Sequence, residues 1–176
     1  IKLDTGMTRI GFSTLPQDLK TSAEQIAELK NKESLILEGM FTHLATAESD
    51  PAYATFQFQS YKRLDRELAE RGVDFRYRHV CNSAGMILYP EMQLDLVRPG
   101  ITQYGSYPSD AFKKLLPLRP VMNLYSRVVQ TRDIETGTGV SYGLRWKAPV
   151  QSKLAVVPIG YADGLHRLLS NRASFL

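Results

Sequence analysis

Disulfides, long apolar runs and a one-signed charge surface are all missing from this chain. Its 176 residues include one cysteine, Cys81, so no internal disulfide framework exists, and a reducing compartment such as the cytoplasm is expected. Cys81 itself reads as a small buried residue. No run reaches the roughly 18 apolar residues of a membrane span, so no membrane association is expected. Lys and Arg number 22 against 18 Asp and Glu, a formal charge of +4. The basic residues are scattered; the densest spots, Lys62-Arg63 and Lys113-Lys114, form no stripe, so a solvated surface is favoured over a nucleic-acid site. A small positive bias equally suits an anionic small molecule. No metal-ligand set is assigned. The chain opens Ile1-Lys2-Leu3-Asp4 without an initiator methionine and ends Ala173-Ser174-Phe175-Leu176, so both ends read as strand interiors and the whole as an internal fragment.

With 43% apolar residues, the chain can bury one moderate core or two small ones. The first hundred residues alternate apolar strands with helical periodicity, the pattern of a parallel sheet. Ile1 to Leu3 reads as a strand broken at Thr5-Gly6. A helix follows, with Ser22 as cap, Gln25 completing a capping box, and Ile26, Ala27 and Leu29 on its apolar face. Leu35 to Thr42 is the next expected strand. Asp50-Pro51 starts the longest helix, with Phe58, Tyr61, Leu64 and Leu68 on one face and Gly72 at its end. Tyr77 to Cys81 and Leu94 to Val97 are expected strands, separated by a short helix after Ser83. Pro108, Pro117 and Pro120 punctuate a linker, and beyond it Leu124 to Thr131 and Leu154 to Ile159 read as antiparallel β structure around a Gly137-Thr138-Gly139 turn.

Several motifs follow strand ends, where ligands gather in α/β barrels. The richest is Asp95-Leu96-Val97-Arg98-Pro99-Gly100-Ile101: a strand delivers an arginine, then Pro and Gly halt it and expose backbone N–H groups able to hold an anion. Asp4-Thr5-Gly6 is the tripeptide of aspartic proteases, but it leads through Met7 to Arg9 and α/β alternation rather than a β-rich lobe. Thr42-His43 follows a strand, with Glu48 after it. In His79-Val80-Cys81-Asn82-Ser83, Ser83 is either a phosphate donor or a plain helix cap, and His79 is read as structural. Gly139-Val140-Ser141-Tyr142-Gly143 presents a tyrosine between small residues. Pro158-Ile159-Gly160-Tyr161-Ala162-Asp163-Gly164 precedes Arg167 and Ser170-Asn171.

Taken together, in this order from Lys2 to Asn171, these motifs resemble alanine racemase, a bacterial cytoplasmic enzyme family dependent on pyridoxal 5'-phosphate (PLP). The resemblance implies an α/β fold: the C-terminal half, about strands 5–8, of a (β/α)8 TIM-type barrel over residues 1–107. A Pro-rich linker at 108–120 and the start of an antiparallel C-terminal β domain at 121–176 would follow. It further implies that Arg9 bonds the cofactor's phenolic oxygen and that Lys2 matches a lysine, often carbamylated, that holds this arginine. Ser83, Gly100 and Ile101 would bind the phosphate. Arg98 would face the pyridine nitrogen and, as a permanent cation with donors only, keep it unprotonated. His43 would orient the catalytic tyrosine, Tyr142, which the partner subunit of a homodimer presents. Met7 and Arg167 would line the substrate pocket and entry, with Tyr161 supporting the cleft.

The family's cofactor lysine, in a lysine-alanine-asparagine-alanine-tyrosine-like motif, has no counterpart among these residues. The intact protein is therefore expected to interconvert L- and D-alanine by two-base α-proton transfer, supplying D-alanine for peptidoglycan, while the 176-residue chain alone is expected to be inactive. The alternatives are a serine or broad-specificity racemase, or a fragment that binds a phosphate ligand and does no chemistry.

Overall fold

The structure is a computed structural model that describes residues 1–174; the expected strand end at Phe175-Leu176 lies outside the described residues. The chain divides into two compact units, Ile1–Met122 and Asn123–Leu176.

In the first unit, short parallel strands alternate with helices. Strand β1 (Leu3–Asp4) pairs with β2 (Phe12–Ser13), and helix α1 (Leu19–Leu29) follows. Strand β3 (Gly39–Phe41) leads to helix α2 (Pro51–Glu70), and β4 (Tyr77–His79), parallel to β3, leads to the short helix α3 (Ser83–Leu88). Parallel bridges Lys2–Phe41 and His79–Leu96 join these pairs, so the strand ends after β1, β3, β4 and Leu96 share one edge.

Helix α2 starts where the sequence indicates: Asp50 accepts a hydrogen bond from Tyr53 N at 3.0 Å, and Pro51 occupies the first turn. Ala54, Phe58, Tyr61, Leu64 and Leu68 repeat at helical spacing and are all buried. They pack in one core with Leu3, Met40, Val80 and, from α1, Ala23 and Ile26. Gly72, at φ +70°, ends this segment in the left-handed conformation that glycine adopts freely.

Several boundaries differ from the sequence reading. Helix α1 begins at Leu19, so Ser22 lies inside it and forms no cap; its buried hydroxyl donates to Ser13 O at 2.8 Å. The expected Leu35–Thr42 strand shortens to Gly39–Phe41, because β4 begins opposite Gly39 and gives the preceding residues no partner. Leu35 and Ile36 are accordingly exposed. Leu94 to Val97 contributes a single bridge instead of a buried strand: Leu94 has φ +54°, and the Asp95 carboxylate takes the Arg78 N–H at 2.7 Å in place of a ladder bond. Leu94 and Leu96 are exposed at this edge. The 108–120 segment carries a 3-10 turn, Asp110–Lys114, whose Phe112 is buried in the first unit's core.

The second unit is antiparallel β structure. Strand β5 (Gln130–Ile134) pairs with β8 (Ser152–Val156), and β6 (Gly139–Val140) pairs with β7 (Trp146–Lys147). Gly137 turns the chain at φ +83° and donates to Ala148 O at 2.8 Å. The first of these strands lies later than the expected Leu124–Thr131, and β8 ends before the expected Ile159, since pairing exists only where β5 and β8 face each other. Ile134 and Ala148 are the buried hydrophobic side chains among this unit's described residues.

Replacing Leu64, fully buried on α2, by alanine is expected to lower the unfolding free energy by about 2–5 kcal/mol. The exposed Arg66→Ala on the same helix should change it by less than about 0.5 kcal/mol, both read by urea denaturation.

Candidate active site

The shared strand-end edge of the first unit gathers the loops that carry Met7 and Arg9, His43, Ser83, and Arg98 to Ile101. Arg98 is the most constrained of these residues. Its Nη1 donates to His79 Nδ1, and its Nη2 donates to Thr42 O at 2.6 Å and Val80 O at 3.1 Å. Its own N–H binds Cys81 O at 3.0 Å. These bonds use three of the five guanidinium N–H donors and leave two for a ligand. Burial lowers its pKa from the ordinary arginine value, yet a guanidinium remains charged at working pH.

Phe41 forms a platform below this group. His79 stacks on it with ring centroids 4.9 Å apart, while Arg98 and Lys2 lie 5.1 and 5.4 Å from its centroid. Because Arg98 donates to Nδ1, His79 is assigned as the neutral ring with its proton on Nε2. Burial and then the Arg98 charge lower its pKa, in keeping with that form. Half-buried His43 is depressed in the same sense by desolvation, then by Arg98, Arg9 and Lys2. Lys2 is also lowered, first by burial and then by Arg9, with Asp4 opposing.

The Asp-Thr-Gly loop uses its carboxylate locally. Asp4 Oδ1 accepts from Gly6 N at 3.0 Å and Thr8 N at 2.9 Å, fixing a turn in which Gly6 has φ +129° and Thr8 φ +55°. This excludes Asp4 as a free protease-type carboxylate in this conformation. Arg9 projects from that turn and is exposed, with no hydrogen bond or ion pair among the described residues. Met7 is half-buried beside it in sequence.

Ser83 is not a helix cap. Asn82 caps α3, its Oδ1 accepting from Gly85 N at 2.9 Å, while its Nδ2 ties Leu44 O at 3.2 Å. The buried Ser83 hydroxyl instead accepts from Gly100 N at 2.8 Å and from Thr102 Oγ1 at 3.1 Å, leaving its own proton available. Ile101 opens the next 3-10 turn, half exposed. These donors and Arg98 are suited to an anionic group with an adjoining ring. A cleft of about 500 Å3 lined by Phe58, Lys62, Arg78 and Met92 lies elsewhere and shares no residue with this cluster. Among the described residues, no group of His, Cys, Asp and Glu could hold a metal, and no helix is long and apolar enough to cross a membrane.

Tyr142 and Arg167 belong to the second unit. Tyr142 is 91% exposed and opens a short turn directly after Ser141, whose φ is +62°. Arg167 begins the turn Arg167–Leu169 and is exposed, as is Tyr161. Sequence reasoning missed His79, Phe41 and Gln57 as parts of the site. His79 carried the same strand-end signal that singled out His43, and Gln57 is an amide on the apolar face of α2.

Both depressed histidines remain neutral in the folded chain at pH values where the unfolded chain binds protons. Their contribution to stability is therefore full above an ordinary histidine pKa of about 6.5 and is lost as pH falls below it. The urea midpoint should drop between about pH 7.5 and 5.5, and His79→Gln should flatten that drop.

Residues 1–108 match the family described as alanine racemase, N-terminal domain, and residues 121–176 the alanine racemase, C-terminal domain. The chain is 42% identical over 177 residues to alanine racemase 2 of Caldanaerobacter subterraneus, covering 100% of this chain and 45% of the relative. It is 43% identical over 173 residues to the alanine racemase of Methanococcus maripaludis, covering 97% of this chain and again 45% of the relative. The solved alanine racemase of Clostridium difficile 630 superposes with a TM-score of 0.82 at 45% identity, covering 95% of this chain and 43% of that one. The chain thus spans under half the length of the relatives it matches. With both family domains matched in order along one chain, it belongs to the alanine racemase family, carrying parts of its barrel domain and of its C-terminal domain.

Proposed function

We infer that the intact protein containing this chain is a PLP-dependent alanine racemase, acting in the cytoplasm to supply D-alanine for peptidoglycan. The observation that carries this reading is Arg98: a half-buried, three-bonded guanidinium with two donors to spare, one strand end from the Ser83 hydroxyl. Family membership supports the substrate, and the free buried thiol of Cys81 supports the compartment.

Ser83, with Gly100 and Ile101, would hold the phosphate, Arg9 the phenolic oxygen, and Arg98 the pyridine nitrogen. The chemistry of the donors fits: a free hydroxyl proton, backbone N–H groups and two cations suit an anionic, ring-bearing cofactor. Bound there, the cofactor draws electron density from the substrate's α-carbon and so acidifies its proton. A guanidinium facing the ring nitrogen offers it no proton and repels one, restraining the electron sink and with it side reactions such as transamination. Tyr142, exposed on the second unit, would serve the site of a partner subunit in a homodimer as the proton donor and acceptor on one face. Cationic neighbours such as Arg98, with a neutral His43 as hydrogen-bond partner, would stabilise its phenolate there. Met7 and Arg167 would shape the pocket and its entry.

The base for the other face is the family's cofactor lysine, which we assign to the part of the protein outside this span. Residues 1–107 would then be about strands 5–8 of the barrel, 108–120 the linker and 121–176 the start of the β domain. Lys2 has a lowered pKa, which leaves a fraction of neutral amine able to take up carbon dioxide, and the resulting carbamate would suit the cationic surroundings of Arg9 and Arg98.

Borohydride reduction of the intact protein with PLP is expected to add one pyridoxyl phosphate and to abolish alanine racemisation. The 176-residue chain should show neither a specific adduct nor activity. Racemisation by this chain alone would contradict the two-base assignment. Ser83→Ala should weaken PLP binding about tenfold or more, measured by absorbance titration, as expected for loss of one charge-assisted hydrogen bond.

A further inference from the structure

Gln57 is fully buried on the core face of α2, next along the helix to Phe58 and one turn from Ala54 and Tyr61. A leucine or methionine would fill this position without desolvating an amide, so the amide must be satisfied by bonds of its own. All of those bonds go to the strand-end loops. Nε2 donates to Thr5 Oγ1 and to His43 O, each at 3.1 Å, and Oε1 accepts from Ala45 N at 2.8 Å. The amide therefore grips the backbone on both sides of Leu44, which is itself buried.

The bond to Thr5 starts a directed relay. Thr42 Oγ1 donates to Leu3 O at 3.0 Å, so in the 2.7 Å contact between the two threonines the Thr5 hydroxyl is the donor. Protons thus point from Gln57 to Thr5, to Thr42, to the β1 backbone, and bonds aligned in one direction reinforce each other. The carbonyl of the same Thr42 receives Arg98 Nη2. Two further polar tips lie at helical spacing from Gln57. Tyr53 donates to Gly6 O at 2.8 Å, and Tyr61 donates to Met40 O at 3.0 Å. One face of α2 therefore holds the ends of β1 and β3 by side-chain hydrogen bonds.

We propose that Gln57 is a positioning residue: from α2 it sets the loop that carries His43 and the Thr42 carbonyl that seats Arg98, without touching substrate or cofactor. Its catalytic consequence rests on the racemase reading, whereas its effect on His43 does not.

The test compares wild type, Gln57→Met, Thr5→Val and Thr5→Ser in the intact protein that contains this chain. Met keeps the volume and removes every hydrogen bond; Val breaks only the relay; Ser restores its hydroxyl. The first readout is the NMR titration of the His43 ring, which is faced by the charges of Arg98, Arg9 and Lys2. Release of the loop to solvent should raise the His43 midpoint by about half a pH unit or more in Gln57→Met, and by less in Thr5→Val. Thr5→Ser should match wild type. The second readout is alanine turnover: kcat should fall about ten- to a hundredfold in Gln57→Met, with KM and PLP affinity changed by less than about threefold. If Gln57→Met does not fold, the Thr5→Val and Thr5→Ser pair decides by the same two readouts. A lower melting temperature with an unmoved His43 midpoint and unchanged kcat would make the amide a packing group only and overturn the proposal. Absence of racemisation in the wild-type intact protein would instead overturn the racemase reading, leaving the His43 titration to decide the role of Gln57.

Discussion

The seating of the Arg98 guanidinium is the constraint on which the remainder of the site depends. A half-buried charge loses part of its hydration, and here two carbonyls and a neutral imidazole replace it. Each acceptor belongs to a different position on the parallel strands: Thr42 beyond β3, Val80 beyond β4, and His79 at the end of β4. Misplacing either strand by one residue would turn an acceptor away, since successive residues face opposite sides. The charge thus holds the strands in register while the strands hold the charge. Burial first, and then the Arg98 charge in the same sense, lowers the pKa of both His43 and His79, while Lys2 is lowered by burial and then by Arg9, with a smaller push from Arg98.

Helix α2 transmits this constraint to the core. Its apolar residues anchor it through Phe58, Leu64 and Leu68, and its polar tips reach the strand ends from the same face. Core packing and site geometry are therefore not separable along this helix. A buried amide in such a stripe places a specific demand on loop position that dispersion alone does not make, because hydrogen bonds lose strength steeply with misalignment.

Much of this was legible in the residues. The α2 start at Asp50-Pro51, the α/β alternation and the later antiparallel β structure follow from local chemistry: a cap, a fixed proline φ, and hydrophobic period. What failed was pairing. Leu35 to Glu38 and Leu94 to Val97 have the composition of strands, but a strand requires a neighbour along its whole length, and sequence does not show where the neighbour begins. Ser22 looked like a cap because the Ser-x-x-Gln spacing was right, yet its hydroxyl is buried on Ser13 O. In the site, Arg98 and Ser83 were readable from strand-stop chemistry and from family resemblance. Gln57 was not, because its partners are main-chain atoms and side chains distant in sequence that no local spacing encodes, while His79 carried the strand-end signal of His43 but was read as structural.

The most direct test is the 15N chemical shift of ring-labelled PLP bound to the intact protein that contains this chain. A guanidinium facing the pyridine nitrogen should keep that nitrogen unprotonated from about pH 6 to 9, and Arg98→Glu should move the shift toward the protonated value. A protonated nitrogen in the wild-type protein at neutral pH would contradict the placement of Arg98 and the chemistry derived from it.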